Sequence, residues 1–99
     1  MHTQTFKEYC TETGVTSICK TIRINSAHSY PFITVLRGKI AENIYLSKAS
    51  ASKVSEGDSV KSIASELLVA TAPNADGEDR TKLFFQGDSS YESVEDMFE

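Results

Sequence analysis

The stretch Ser29–Lys48, SYPFITVLRGKIAENIYLSK, leaves the chain little choice of local structure. Two runs rich in β-branched and aromatic residues, Phe32–Arg37 and Ile40–Ser47, flank Gly38-Lys39. Such runs favour strands, and a glycine at the first central position suits a two-residue type II′ turn. Counting outward from that turn, Ile33 faces Ile44, Phe32 faces Tyr45 and Thr34 faces Asn43. Side chains alternate along a strand, so the isoleucines are expected in a core and the other four residues on one exposed face. Two rings and two small polar groups, with Arg37, Lys39 and Lys48 nearby, read as a platform for a ligand.

Ninety-nine residues, 39% of them hydrophobic and 24% charged, are enough for one small core and too apolar for wholesale disorder. No apolar run approaches the ~20 residues that span a bilayer, and the first twenty residues lack a signal-peptide core. A cytoplasmic location with no membrane partner is therefore expected. Cys10 and Cys19 have no C-x-x-C spacing, and only His2 and His28 are at hand to join them. No metal or cofactor is expected, and two free thiols are favoured over a disulfide.

Charge is unevenly spread. The net of −4 hides a 13-residue end, Gly87–Glu99, that holds five acidic residues and no Lys or Arg. Residues 1–86 carry ten basic and nine acidic groups. The division expected is a single β domain over 1–86 and an acidic C-terminal tail over 87–99, a pattern that points to a charged partner.

Along the chain, Thr3–Thr13 reads as a short helix ending before Gly14, with a strand almost equally compatible. Ser17–Asn25 reads as a strand, with Ile18, Ile22 and Ile24 on one face. After the hairpin, Lys48–Glu56 changes to Ala, Ser and Lys, which predicts a short helix closed by Gly57. A strand is expected from Glu66 to Thr71, with Val60–Ser65 as a lead-in strand or bent continuation. Pro73–Gly77 is strong turn chemistry, and Arg80–Gln86 is the returning strand. In the tail, Ser89 and Glu92 have capping-box spacing, and Tyr91, Val94, Met97 and Phe98 fall on one helical stripe.

The fold class expected is mainly β: an OB-like barrel of about five strands, a short helix between the third and fourth, and a helical or disordered acidic tail. OB-folds bind oligonucleotides on their second and third strands, here the hairpin. Bases stack on rings and phosphates follow a basic groove. The expected nucleic-acid-binding set is Arg23, Tyr30, Phe32, Thr34, Arg37, Lys39, Asn43, Tyr45 and Lys48.

This layout resembles small OB-fold single-stranded-DNA-binding proteins of bacteria and phages that carry an acidic, aromatic-tipped tail. The resemblance implies binding of single-stranded DNA or RNA. It also implies a tail (Tyr91, Glu92, Glu95, Asp96, Met97, Phe98) that recruits a replication or repair protein or competes with DNA for the basic groove. Two departures are visible: Glu99 follows Phe98, and the body has no Trp and only a small basic excess. Homo-oligomerisation is left open. The competing expectation is a non-enzymatic protein-binding module, such as a small phage-type inhibitor or assembly factor.

No catalytic role is expected. His28 sits among serines with no recognisable triad partner, and Asp76-Gly77-Glu78-Asp79 fails the calcium-loop spacing. The ring pair has an ordinary alternative role as a cross-strand stabiliser, and the tail stripe as a helix that packs on the domain.

Overall fold

Thr5 is where a strand becomes a helix. In the computed structural model, which describes residues 2–85, β1 (His2–Thr5) runs directly into α1 (Phe6–Thr13). The Thr5 hydroxyl accepts a hydrogen bond from the Glu8 N–H at 3.1 Å, and the Glu8 carboxylate accepts one from the Thr5 N–H at 3.2 Å. This reciprocal cap satisfies two donors that a helix start otherwise leaves open. Gly14, at φ 74°, ends the helix in the left-handed region that glycine occupies freely. Both expectations for this segment are thus met in turn, strand first and helix after it.

The hairpin forms in the expected register. β4 (Pro31–Arg37) pairs antiparallel with β5 (Ile40–Tyr45), setting Phe32 against Tyr45, Ile33 against Ile44 and Thr34 against Asn43. Gly38 takes φ 64° while Lys39 keeps a negative φ, as the type II′ turn requires. On the other side of β4 lie two short strands, β2 (Ser17–Ile18) and β3 (Arg23–Ile24). Between them the four residues Cys19–Ile22 span what Ile33 and Thr34 span on β4. The predicted Ser17–Asn25 strand is therefore broken by a wide bulge. Ile18 pairs with Val35 and Ile24 with Pro31, and Ile22 is buried against the same core, so the isoleucines share the core side of the sheet although Ile18 stays 37% exposed.

The bulge finds its hydrogen bonds in a later loop. The Ile22 N–H donates to the Asp58 carbonyl, and the Gly57 and Val60 N–H groups donate to the carbonyls of Ile22 and Lys20. That loop leads into α3 (Val60–Ile63) and a 3₁₀ turn at Ala64–Glu66, where the pattern predicts a lead-in strand or a bent continuation. Val60, Ile63 and Ala64 have helical spacing and turn inward together, which is why the segment coils.

β6 (Leu67–Pro73) and β7 (Asp79–Phe85) form the second hairpin, and β1 adds to β6. The loop between them is organised by Asn74, whose side-chain oxygen accepts from the N–H groups of Asp76 and Glu78. α2 (Lys48–Ala51) follows β5 as expected. It docks on β7 through the buried Ser50 hydroxyl, which accepts from the Phe85 N–H at 3.0 Å.

The described residues are mainly β, but their strands make two sheets and not a closed barrel. One has the order β1-β6-β7; the other centres on β4. They meet where Leu46 bridges Leu83 and the Ser47 N–H donates to the Leu83 carbonyl. The core between them takes Ile33, Val35, Ile44 and Leu46 from one side, Leu67, Val69, Leu83 and Phe85 from the other, and Phe6 and Tyr9 from α1. No helix among the described residues is long and apolar enough to cross a membrane.

Candidate functional site

The polar face of the β4–β5 hairpin is built as expected in register and differently in exposure. Arg23, Phe32 and Tyr45 stand in one row across β3, β4 and β5. The two rings lie 5.2 Å apart at 46°. Phe32 is only 8% exposed, so it does not serve as an open stacking surface. The reason is the row itself: pressed against Tyr45, its ring gains more from burial than from facing water. Tyr45 is half-buried, and its hydroxyl accepts from the Asn25 side-chain amide at 2.8 Å. Thr34 and Asn43 are bonded to each other at 2.8 Å.

A residue outside the predicted set completes this patch. The Lys82 ammonium on β7 lies 6.0 Å from the Tyr30 ring and 5.9 Å from the Tyr45 ring. Burial lowers the Lys82 pKa below the ordinary lysine value. Alternation along Arg80–Phe85 places Lys82 opposite the core side, but its meeting with the tyrosines depends on how the two sheets join.

Three predicted cations do not join the patch. Arg37 sits one step out of phase with Phe32 and Thr34, so it points to the opposite side of the sheet. There its guanidinium donates to the Tyr9 hydroxyl at 2.6 Å, to the Thr13 carbonyl at 3.1 Å and to the Thr13 hydroxyl at 3.1 Å, and it pairs with Glu42. Burial and the Glu42 charge push the Tyr9 phenol above its ordinary pKa, against the pull of Arg37. Lys39 lies in the turn beyond the Arg37–Ile40 pair, which is itself five register steps and about 17 Å from the rings. Lys48 is exposed at the start of α2. Beside the Arg37 network is a polar cleft of about 410 Å³ that includes His2, Glu12, Glu42 and Asp79. No group of three or more His, Cys, Asp or Glu among the described residues is placed to hold a metal.

A second surface has no counterpart in the sequence reading. α1, β2 and α3 border two adjoining hollows of about 440 and 420 Å³, which share Ile18, Lys61 and Ala64. Their walls come from Phe6, Cys10, Ile18, Cys19, Val60 and Ala64. Lys7, Lys20 and Lys61 stand exposed on the rim, and none forms an ion pair among the described residues. Both cysteines are free and half-buried, and burial pushes the Cys10 thiol up. Ile18 is on the Val35 side of its sheet, away from Phe32 and Tyr45. The groove was hidden from sequence reading because each element supplies only one or two of its residues. The predicted tail set, Tyr91, Glu92, Glu95, Asp96, Met97 and Phe98, lies outside the described residues.

No known protein family, curated protein or solved structure matches the chain.

Proposed function

We propose that the chain is a non-enzymatic protein-binding module, and that its binding surface is the groove between α1, β2 and α3. One observation carries the reading: an apolar trough with a half-exposed isoleucine at its centre, ringed by three lysines that no carboxylate neutralises among the described residues. An apolar floor with a cationic rim is complementary to an amphipathic segment with acidic flanks. Burial of its apolar side chains supplies affinity, and the rim supplies steering and register.

Single-stranded nucleic acid is the second reading. It is favoured by the Lys82 ammonium between the Tyr30 and Tyr45 rings, with Arg23 in the adjoining row. It is weakened by the burial of Phe32 and the engagement of Arg37 on the far side of the sheet. On this reading the OB-like resemblance and an acidic tail that recruits a partner or competes with DNA would carry over.

Fluorescence anisotropy separates the two. One probe is a designed helical peptide of leucine and glutamate, the other an oligo-dT strand, each titrated at low and high salt. The groove reading expects the peptide to bind, with the loss of binding in Ile18→Ser and Lys61→Glu. Tight oligo-dT binding that falls steeply with salt and is lost in Tyr45→Ala, with no peptide binding, would transfer the function to the tyrosine–lysine patch.

A further inference from the structure

We propose that the polar cleft at one end of the space between the two sheets is a binding site for a small linear polyamine. The site is separate from the α1/β2/α3 groove, because α1 gives Phe6 and Cys10 to the groove and Tyr9, Glu12 and Thr13 to the cleft.

The cleft begins where the core stops. Alternation along β7 puts Phe85, Leu83, Thr81 and Asp79 on one face; the first two are buried in the core and the last two line the cleft. β6 makes the same change, from Leu67 and Val69 to Thr71 and Pro73, and β5 from Ile44 to Glu42. β1 sets His2 and Gln4 opposite Thr71 and Val69 and adds both to the wall. The inward-facing positions of both sheets thus turn polar together at one end. They enclose about 410 Å³, within the ~300–1,000 Å³ typical of small-molecule sites.

Charge decides what fits there. Among the described residues the lining holds Glu12, Glu42 and Asp79 but no Lys or Arg. Arg37 is already committed, donating to the Tyr9 hydroxyl, to the Thr13 carbonyl and hydroxyl, and pairing with Glu42. Glu42 is neutralised by that pair, whereas Glu12 and Asp79 have no ion-pair partner among the described residues. Gln4 and Thr71 likewise leave their side-chain hydrogen-bonding capacity unspent among those residues. The carboxylates come from α1, β5 and β7 and are not gathered as ligands for one metal ion. Separate anionic points with hydroxyls between them match ammonium groups spaced along a chain. Each ammonium donates up to three hydrogen bonds, and the methylene spacers rest on Pro73 and the threonine methyls.

The experiment titrates the full chain with spermidine by calorimetry at near-physiological salt, and amide chemical-shift mapping locates the site. Saturable binding at one site is expected, with the shifts centred on Gln4, Glu12, Glu42, Thr71 and Thr81. Glu12→Gln combined with Asp79→Asn keeps the shapes of two exposed side chains and should weaken binding by about tenfold or more, since charge-assisted hydrogen bonds are lost. Thr71→Val, which leaves every charge in place, should weaken it about threefold. Glu95→Gln with Asp96→Asn removes the same charge away from the cleft and should leave the affinity unchanged.

Equal weakening by the two charge-removing pairs overturns the proposal, because spermidine would then follow net charge alone. Shifts centred elsewhere, or heat that never saturates, overturn it as well. So does displacement of spermidine by an equal concentration of magnesium chloride, which would mark a point-cation site, or equally tight binding of sorbitol, which would show that charge does not select the ligand. Unchanged spermidine affinity in Ile18→Ser supports a site distinct from the groove.

Discussion

The hairpin's polar face and the α1/β2/α3 groove each combine apolar side chains with cations, and they differ in what those groups do. On the hairpin, Phe32 leans on Tyr45, Thr34 bonds Asn43, Asn25 holds the Tyr45 hydroxyl and Lys82 lies over two rings. Those side chains already satisfy one another. In the groove, Ile18 is open and three lysines have no ion-pair partner among the described residues. A face rich in aromatic and polar groups is thus a stabilising element here, while the surface free to bind is made of unremarkable residues from three places in the chain.

The sharpest break of this contrast is Phe32→Ala. If the ring face is structural, it costs about 3 kcal/mol, read as a lower urea midpoint with unchanged slope, and peptide binding per folded molecule stays the same. A stable Phe32→Ala protein with a binding defect would reverse the assignment.

Next in size is Arg37→Ala, expected to cost about 1–2 kcal/mol. Most of that comes from the buried Tyr9, whose hydroxyl loses its donor, because the partly exposed pair with Glu42 contributes little.

A smaller effect is a pH dependence. The Tyr9 phenol has a raised pKa in the folded chain, so its contribution is fully present below the unfolded value of about 10 and is lost as pH rises through the folded one. Denaturation of the native chain and Tyr9→Phe at pH values from 8 to 11 checks this: the native chain should lose more stability above pH ~10.

The smallest effect on stability belongs to the groove. Ile18→Ser should stay within about 0.5 kcal/mol of the native chain, because the side chain is already half in water. Its peptide affinity, by contrast, should fall.

What could be read from the sequence follows the range of the forces involved. The β4–β5 register was legible because a two-residue turn leaves one pairing that puts Ile33 and Ile44 inside. The β6–β7 hairpin was legible for a similar reason, since Asn74 and Gly77 shape its loop. Two local signals were present but passed over. The Thr5–Glu8 capping box marks where β1 gives way to α1, and Val60, Ile63 and Ala64 carry helical spacing inside a segment that otherwise reads as a lead-in strand or a bent continuation. The phase of Arg37 was also readable, because it alternates away from Phe32, and its approach to the rings along the sequence misled. Three features lay beyond local pattern: the bulge at Cys19–Ile22, the meeting of Lys82 with the tyrosines and the groove. Each depends on segments that come together only after the sheets have joined.

The bulge has one more effect. A straight strand from Ser17 to Asn25 would have offered a continuous ladder of unpaired amides and carbonyls to any other extended chain. Here that ladder is cut into two-residue pieces, and the groups between them are spent on the Gly57–Val60 loop. This edge of the sheet is thereby blunted against intermolecular cross-β stacking by the backbone itself, with no proline or buried charge needed for the purpose.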